Sequence, residues 1–187
     1  MKKIFNITLL LLAAVLLFSC RNDDNTDIPE DIHEHEEISI LQVTIADNAG
    51  GTPQVITYIG GAANKKIVLQ NGKTYNVSLD FQTGHDDHSH SANDEIIEEK
   101  DEHFITYKFA GVNVNVKRAA DDIVRTDGNK LGLKTVWTVT NAPSNATANI
   151  KLIHAPSAVN QNSPSADNQQ GTTTGGESDV DALIGVQ

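Results

Sequence analysis

Three histidines that lie close together are the side chains in this sequence best suited to chemistry. His85, His88 and His90 occur within six residues, beside Asp86 and Asp87, in the segment GHDDHSHS. Imidazole binds borderline metals such as zinc, copper and nickel, and carboxylates supply further ligands. The segment therefore predicts a site for zinc or another divalent transition metal, although a polar loop with incidental affinity has the same composition. The candidate ligands are His85, Asp86, His88 and His90.

Two further histidines, His103 and His154, are predicted to lie at strand ends. Alternation places both on the apolar faces of their strands. In one interpretation each is a partly buried histidine that a backbone carbonyl or a carboxylate satisfies. In the other they converge at one mouth of the fold and share an ion or a polar ligand with Glu99 or Glu102, and His35 is in phase to join them.

Aspartates also cluster, but without the spacing of a known calcium loop. Asp179 and Asp181 are expected on the outward face of the last strand, and Asp121, Asp122 and Asp127 near a turn. We interpret both groups as solvated.

Charge and motifs exclude several classes of function. The formal net charge of −11 disfavours nucleic acid as a partner, because an acidic surface repels it. The sequence contains no G-x-S-x-G elbow, P-loop, H-E-x-x-H or dinucleotide fingerprint. We therefore expect a non-enzymatic protein, with a small hydrolase as a weaker alternative.

Alternation of apolar and polar residues begins at Ile38 and predicts half-buried strands. Ile67-Val68-Leu69 before Asn71-Gly72 adds the best hairpin signal, and Asn93 is placed to cap a helical turn. The alternating sets are Leu41, Val43 and Ile45; Val55, Thr57 and Ile59; Tyr75, Val77, Leu79 and Phe81; His103, Ile105, Tyr107 and Phe109; Val112, Val114 and Val116; Leu133, Thr135, Trp137 and Val139; Ala148, Ile150, Leu152 and His154; and Val180, Ala182, Ile184 and Val186.

These elements predict an all-β fold, an antiparallel β-sandwich of about eight or nine strands, with a β-barrel-like closure as the alternative. The expected organisation is a signal peptide at 1–19, a lipidated acidic tether at 20–37 and a single domain at 38–187. Long loops are expected at 84–101 and 156–176, where polar and small residues dominate.

The first twenty residues resemble the signal of bacterial lipoproteins. Lys2 and Lys3 precede an apolar run, and Leu17 lies three residues before Cys20, the only cysteine. The apolar run of ten residues is too short to span a bilayer of about 30 Å as a helix. The resemblance implies cleavage before Cys20 and acyl chains such as palmitate on that residue, which anchor the chain to a membrane.

The remainder of the chain resembles uncharacterised short lipoproteins of flavobacteria and other Bacteroidetes. Some of those proteins carry a label for type 1 periplasmic binding folds, but that fold is a much longer α/β structure than alternation predicts here. The motifs that carry the resemblance are Glu36-Glu37-Ile38, Asp101-Glu102-His103, Leu131-Gly132-Leu133, Trp137-Thr138, His154-Ala155-Pro156 and Gly175 to Asp181.

The resemblance implies an outer-membrane lipoprotein, periplasmic or surface-exposed, that works beside a TonB-dependent receptor in nutrient or metal uptake. Together with the histidines it predicts a ligand-binding domain for a divalent transition metal. The alternative is a protein- or glycan-interaction module in which the histidines are incidental.

Overall fold

The structure of the protein is a computed structural model that describes residues 37–84, 88–162 and 169–187. All of these residues belong to one compact unit, Glu36–Gln187. Some sequence predictions fall outside the described ranges and stay predictions. They concern the signal peptide 1–19, Cys20, the tether as far as residue 36, His35, His85 and Asp86.

Strands dominate the described residues, as the alternation predicts. Eight strands have five residues or more: β1 (Ile38–Asp47), β2 (Gln54–Ile59), β4 (Thr74–Thr83), β6 (His103–Ala110), β7 (Val114–Arg118), β8 (Lys134–Val139), β9 (Ala146–His154) and β13 (Glu177–Val186). Five have two or three residues: β3 (Ala62–Ala63), β5 (His90–Ser91), β10 (Ala158–Asn160), β11 (Gln169–Gln170) and β12 (Thr172–Thr174). One short helix, α1, spans Asn93–Glu98.

The strands form two main antiparallel sheets. Sheet A has the order β3-β2-β1-β4-β8-β7, and β5 pairs with the end of β4. Sheet B has the order β11-β6-β9-β13. β10 and β12 form a separate two-stranded sheet.

Aromatic contacts show that the two sheets face each other. Trp137 of β8 in sheet A meets the rings of Tyr107 and Phe109 of β6 in sheet B edge-on, with centroids 5.9 and 5.0 Å away. All three side chains are buried. No sheet within the described residues closes into a barrel. The predicted all-β sandwich is therefore confirmed over the barrel-like alternative.

The buried faces follow the predicted alternation in most strands. Tyr75, Val77, Leu79 and Phe81 of β4 are all at most 4% exposed. Burial of such side chains stabilises the sandwich by about 1.5–3 kcal/mol each. A period of two is enough to choose the inner face when the other face is polar.

In β2 the predicted inner face is wrong. Val55 and Ile59 are 39% and 41% exposed, whereas Ile56 is fully buried. Apolar residues occupy both faces of this strand, so alternation alone does not choose between them. The pairing of β2 with β1 chooses the buried face. Ile56 lies opposite the buried Val43 of β1, and residues directly opposite each other share a face.

The predicted hairpin at Asn71-Gly72 is also absent, although a turn is present there. Ile67 bridges Val186 in parallel fashion, and the Leu69 amide donates to the Gln187 carbonyl at 2.9 Å. The segment before the turn therefore joins the C-terminal strand of sheet B instead of β4.

The two expected long loops contain regular structure. Within 156–176, β10 pairs with β12 and β11 adds to the edge of β6. Within 84–101, α1 forms as predicted, but Ala92 occupies its N-cap position without a side-chain hydrogen bond. The Asn93 side chain instead accepts from the Phe81 amide at 3.1 Å and donates to the Leu79 carbonyl at 2.9 Å. It therefore ties the helix to β4.

Asp122 corrects the prediction of a solvated aspartate cluster at that turn. It is only 4% exposed, and its carboxylate accepts from the amides of Gly132 at 2.7 Å and Lys134 at 3.0 Å. Burial raises its pKa, and these hydrogen bonds oppose the rise. Asp122 therefore holds the chain as it enters β8.

Among the described residues, no helix is a candidate for crossing a membrane. None of their helices combines the length and the apolar composition that a bilayer crossing requires.

Candidate functional site

His103 and His154 meet at one corner of sheet B. They begin β6 and end β9, and the antiparallel register places them directly opposite each other. Their rings stack with centroids 5.0 Å apart and an interplanar angle of 15°. The predicted convergence of His103 and His154 is present. The antiparallel pairing of β6 with β9 brings the two residues together.

A carboxylate faces each ring. The Nε2 atom of His103 lies 3.7 Å from Oδ2 of Asp179, and Nε2 of His154 lies 3.6 Å from Oε2 of Glu102. Exposure differs sharply within the group: the side chain of His103 is 5% exposed and that of Glu102 is 64% exposed. His103 is therefore the buried member of the corner and Glu102 its most exposed member, with His154 and Asp179 in between.

The surroundings of His103 favour a neutral ring. Burial lowers its pKa below the usual value, and the neighbouring His154 acts in the same direction. The backbone carbonyl of Glu99 and the carboxylate of Asp179 oppose this shift. Nδ1 of His103 donates to the Glu99 carbonyl at 3.2 Å. A neutral ring that donates from Nδ1 carries its lone pair on Nε2, the atom that faces Asp179.

Asp179 belongs to this corner because of a β-bulge, and it is solvent-exposed as the sequence predicts. In the pairing of β13 with β9, Ser178 lies opposite Ile153 and Val180 lies opposite Leu152, so Asp179 is the extra residue. A bulge redirects the side chain of the residue that it inserts. Asp181, beyond the bulge, stays on the outer face and pairs with Lys151 at 2.7 Å.

The predicted loop site is described only in part. His88 and His90 are both exposed, and Nε2 of His90 lies 2.9 Å from the Thr83 hydroxyl. His85 and Asp86, the other predicted ligands, lie outside the described residues. The metal site of this loop therefore stays a prediction.

One pair of atoms at the His103 corner is separated by little more than two ligands of one zinc ion. Two ligands about 2.0–2.1 Å from a tetrahedral zinc lie about 3.3 Å apart, compared with 3.7 Å for the His103–Asp179 atoms. A tetrahedral zinc takes four protein ligands, or three protein ligands and a water. Within residues 37–84, 88–162 and 169–187, no three His, Cys, Asp or Glu side chains converge on one point. Binding thus requires rotation of the exposed Glu102 and of His154.

A cavity of about 360 Å³ adjoins the corner. Asp179 lines it, together with Glu37, Tyr58 and Asp181. The Tyr58 hydroxyl donates to the Asp181 carbonyl at 3.3 Å. Carboxylates along the cavity wall favour the approach of a cation over that of an anion.

Acidification is expected to destabilise the metal-free chain through His103. Because the folded-state pKa of His103 is lowered, the unfolded chain binds the proton first, and stability falls as the pH drops from about 6.5 through the folded-state pKa. Urea unfolding in EDTA between about pH 7.5 and pH 5 should show a smaller loss for His103→Gln than for the unchanged chain. His90→Gln, at an exposed site, is the control. Equal losses in all three proteins would contradict the assignment.

The sequence matches no family model, and comparison with curated proteins and with solved structures finds no similar protein.

Proposed function

We propose that this protein is a membrane-anchored bacterial lipoprotein whose sandwich domain binds a divalent transition metal, zinc or a similar ion, without catalysis. The metal binds at the corner formed by His103, His154, Glu102 and Asp179. It serves uptake across the outer membrane, next to a TonB-dependent receptor. Anchoring through Cys20 and the acidic tether keeps the domain at the membrane, on the periplasmic side or at the cell surface.

The observation that supports metal binding most directly is the Nε2 atom of His103 beside Asp179. A ligating histidine must be neutral, and its other nitrogen usually donates to a carbonyl or carboxylate that orients the ring. His103 meets both conditions, because burial lowers its pKa and Nδ1 donates to the Glu99 carbonyl. The stacked His154 and the exposed Glu102 supply further nitrogen and oxygen ligands beside it.

Metal titration tests this proposal. The full chain, purified in detergent and stripped with EDTA, is titrated with Zn²⁺ in a calorimeter. We expect a micromolar site, weakened about tenfold or more in His103→Gln and in His154→Gln, because each variant removes one nitrogen ligand. Glutamine is close to histidine in size, which limits the disturbance of the buried position.

The matched control replaces the loop histidines His85, His88 and His90 together by alanine. Unchanged affinity in that variant, with a loss in the His103 and His154 variants, supports the corner. The opposite pattern contradicts the corner and assigns the metal to the loop. No zinc binding by the unchanged chain contradicts metal binding altogether and favours a protein- or glycan-interaction module.

A further inference from the structure

A second cavity, of about 400 Å³, lies along β7, the edge strand of sheet A. Three cationic residues line it: Lys117, Arg118 and Lys130. Four of its lining residues carry side-chain amides, including Gln161 and Gln170, and no described residue that lines it is acidic. Its volume falls in the range of small-molecule sites, roughly 300–1,000 Å³.

Carboxylates near this cavity act on its cations from a distance: Asp122 interacts with Arg118 and Asp121 with Lys130. Among the residues that the structure describes, none of the three cations forms an ion pair with an acidic side chain. The Lys130 ammonium donates to the backbone carbonyls of Ala119 and Ala120. Three cations in a cavity lining without an acidic residue are a local exception in a chain of formal net charge −11. Such a patch attracts an anionic ligand.

Arg118 is held in place before any ligand arrives. Its guanidinium lies 4.2 Å above the ring of Phe104, and it donates to the carbonyls of Lys130 at 2.8 Å and Ile105 at 2.6 Å. Burial lowers its pKa to about 10, so it stays charged at neutral pH. A guanidinium with a fixed position loses little conformational entropy on binding an anion.

Glycines make room for this arginine. At Gly132 and Gly171 the φ angles are +103° and +86°, which side-chain-bearing residues rarely adopt. A Cβ atom at either position would collide with the guanidinium of Arg118. The close approach of two glycine backbones is what fixes Arg118 against Phe104.

Two polar atoms at this cavity have no hydrogen-bond partner among the described residues. Nε of Arg118 is a donor and Oε1 of Gln170 is an acceptor, and both are buried. An unsatisfied buried polar atom is unfavourable, which makes each a place where a ligand group can gain affinity. A hydroxyl both donates and accepts, so hydroxyl groups suit both atoms.

We propose that this cavity binds an anionic sugar. The acidic group lies against Lys117, Arg118 and Lys130, and the ring hydroxyls meet the side-chain amides. This site is separate from the His103 corner and does not depend on metal binding. A carboxylate and a sulfate share the chemistry that the cations recognise, and the experiment below distinguishes them.

The test is a titration of the full chain in detergent, at low salt, with digalacturonic acid, a sulfated galactose disaccharide and uncharged galactobiose. Amide chemical shifts report binding. We expect at least one acidic disaccharide to bind about tenfold or more tightly than galactobiose. A tenfold difference in affinity corresponds to about 1.4 kcal/mol of binding free energy. Which of the two binds identifies the acidic group. Equal affinity for all three sugars, or no binding by either acidic one, would overturn the proposal.

A matched pair of variants places the binding in this cavity. Lys117→Glu reverses an exposed charge at the cavity, and Lys65→Glu makes the same change at an exposed position just after β3, at the opposite edge of sheet A from β7. We expect Lys117→Glu to weaken binding of the acidic disaccharide about tenfold and Lys65→Glu to leave it unchanged. Equal weakening by both variants would show a general charge effect and overturn the assignment.

Discussion

Replacing Trp137 by alanine should destabilise the sandwich by about 3–5 kcal/mol. Trp137 is fully buried, and its ring contacts Tyr107 and Phe109 of the opposite sheet. Its indole nitrogen donates to the Thr135 hydroxyl at 2.8 Å. Alanine would remove these contacts, leave a cavity between the sheets and remove one hydrogen bond to the buried Thr135 hydroxyl.

The measurement is urea unfolding followed by circular dichroism, since Trp137 is the only tryptophan and its fluorescence is lost in the variant. Leu183→Ala is the control, because Leu183 is 59% exposed and its loss should cost less than about 0.5 kcal/mol. Trp137→Phe, which keeps an aromatic ring, should lie between the two. A cost below about 1 kcal/mol for Trp137→Ala would contradict the cross-sheet packing.

Replacing Cys20 by alanine should release the protein from the membrane fraction. The proposed anchor consists of acyl chains on this one sulfur, and each buried methylene contributes about 0.8 kcal/mol to membrane binding. Without the sulfur, no acyl chain can be attached at this position. The ten-residue apolar run before it is too short to span a bilayer of about 30 Å as a helix.

Cell fractionation, with labelling by a palmitate analogue, measures this effect. The unchanged chain should sediment with membranes and carry the label, and Ser19→Ala, which keeps the cysteine, should behave in the same way. A Cys20→Ala protein that still fractionates with membranes would show that lipidation at this residue is not the anchor.

Alternation predicted the strands well wherever one face was polar. In β4 and β13 the residues Tyr75, Phe81, Val180 and Ile184 are all buried as expected, because the side-chain period of a strand is a local property. It failed in β2, where Val55 and Ile56 make both faces apolar and pairing with β1 decides which is buried.

The candidate site was predicted only in outline. Alternation placed His103 and His154 at strand ends, and their register as direct neighbours follows from the pairing of β6 with β9. The contribution of Asp179 was missed, since it depends on a bulge in β13. No signal in the spacing of Asp179 and Asp181 distinguishes the residue that the bulge inserts.

The cavity beside β7 was not predicted at all. In the sequence, Arg118 lies in an alternating strand and Gly132 comes just before a second alternating strand. Gln170 lies in a segment predicted to be a loop. These residues meet only because β11 adds to β6 and because Gly132 and Gly171 approach the guanidinium of Arg118.

The amino-acid sequence by itself determined the strand positions and most inner faces, because these depend on the polarity of neighbouring residues along one chain. Tertiary structure alone decided which strands pair, where the bulge falls and which side chains meet at the His103 corner and around Arg118. Those outcomes depend on contacts between residues far apart in the chain, and burial and hydrogen bonding select among pairings that local patterns leave equal.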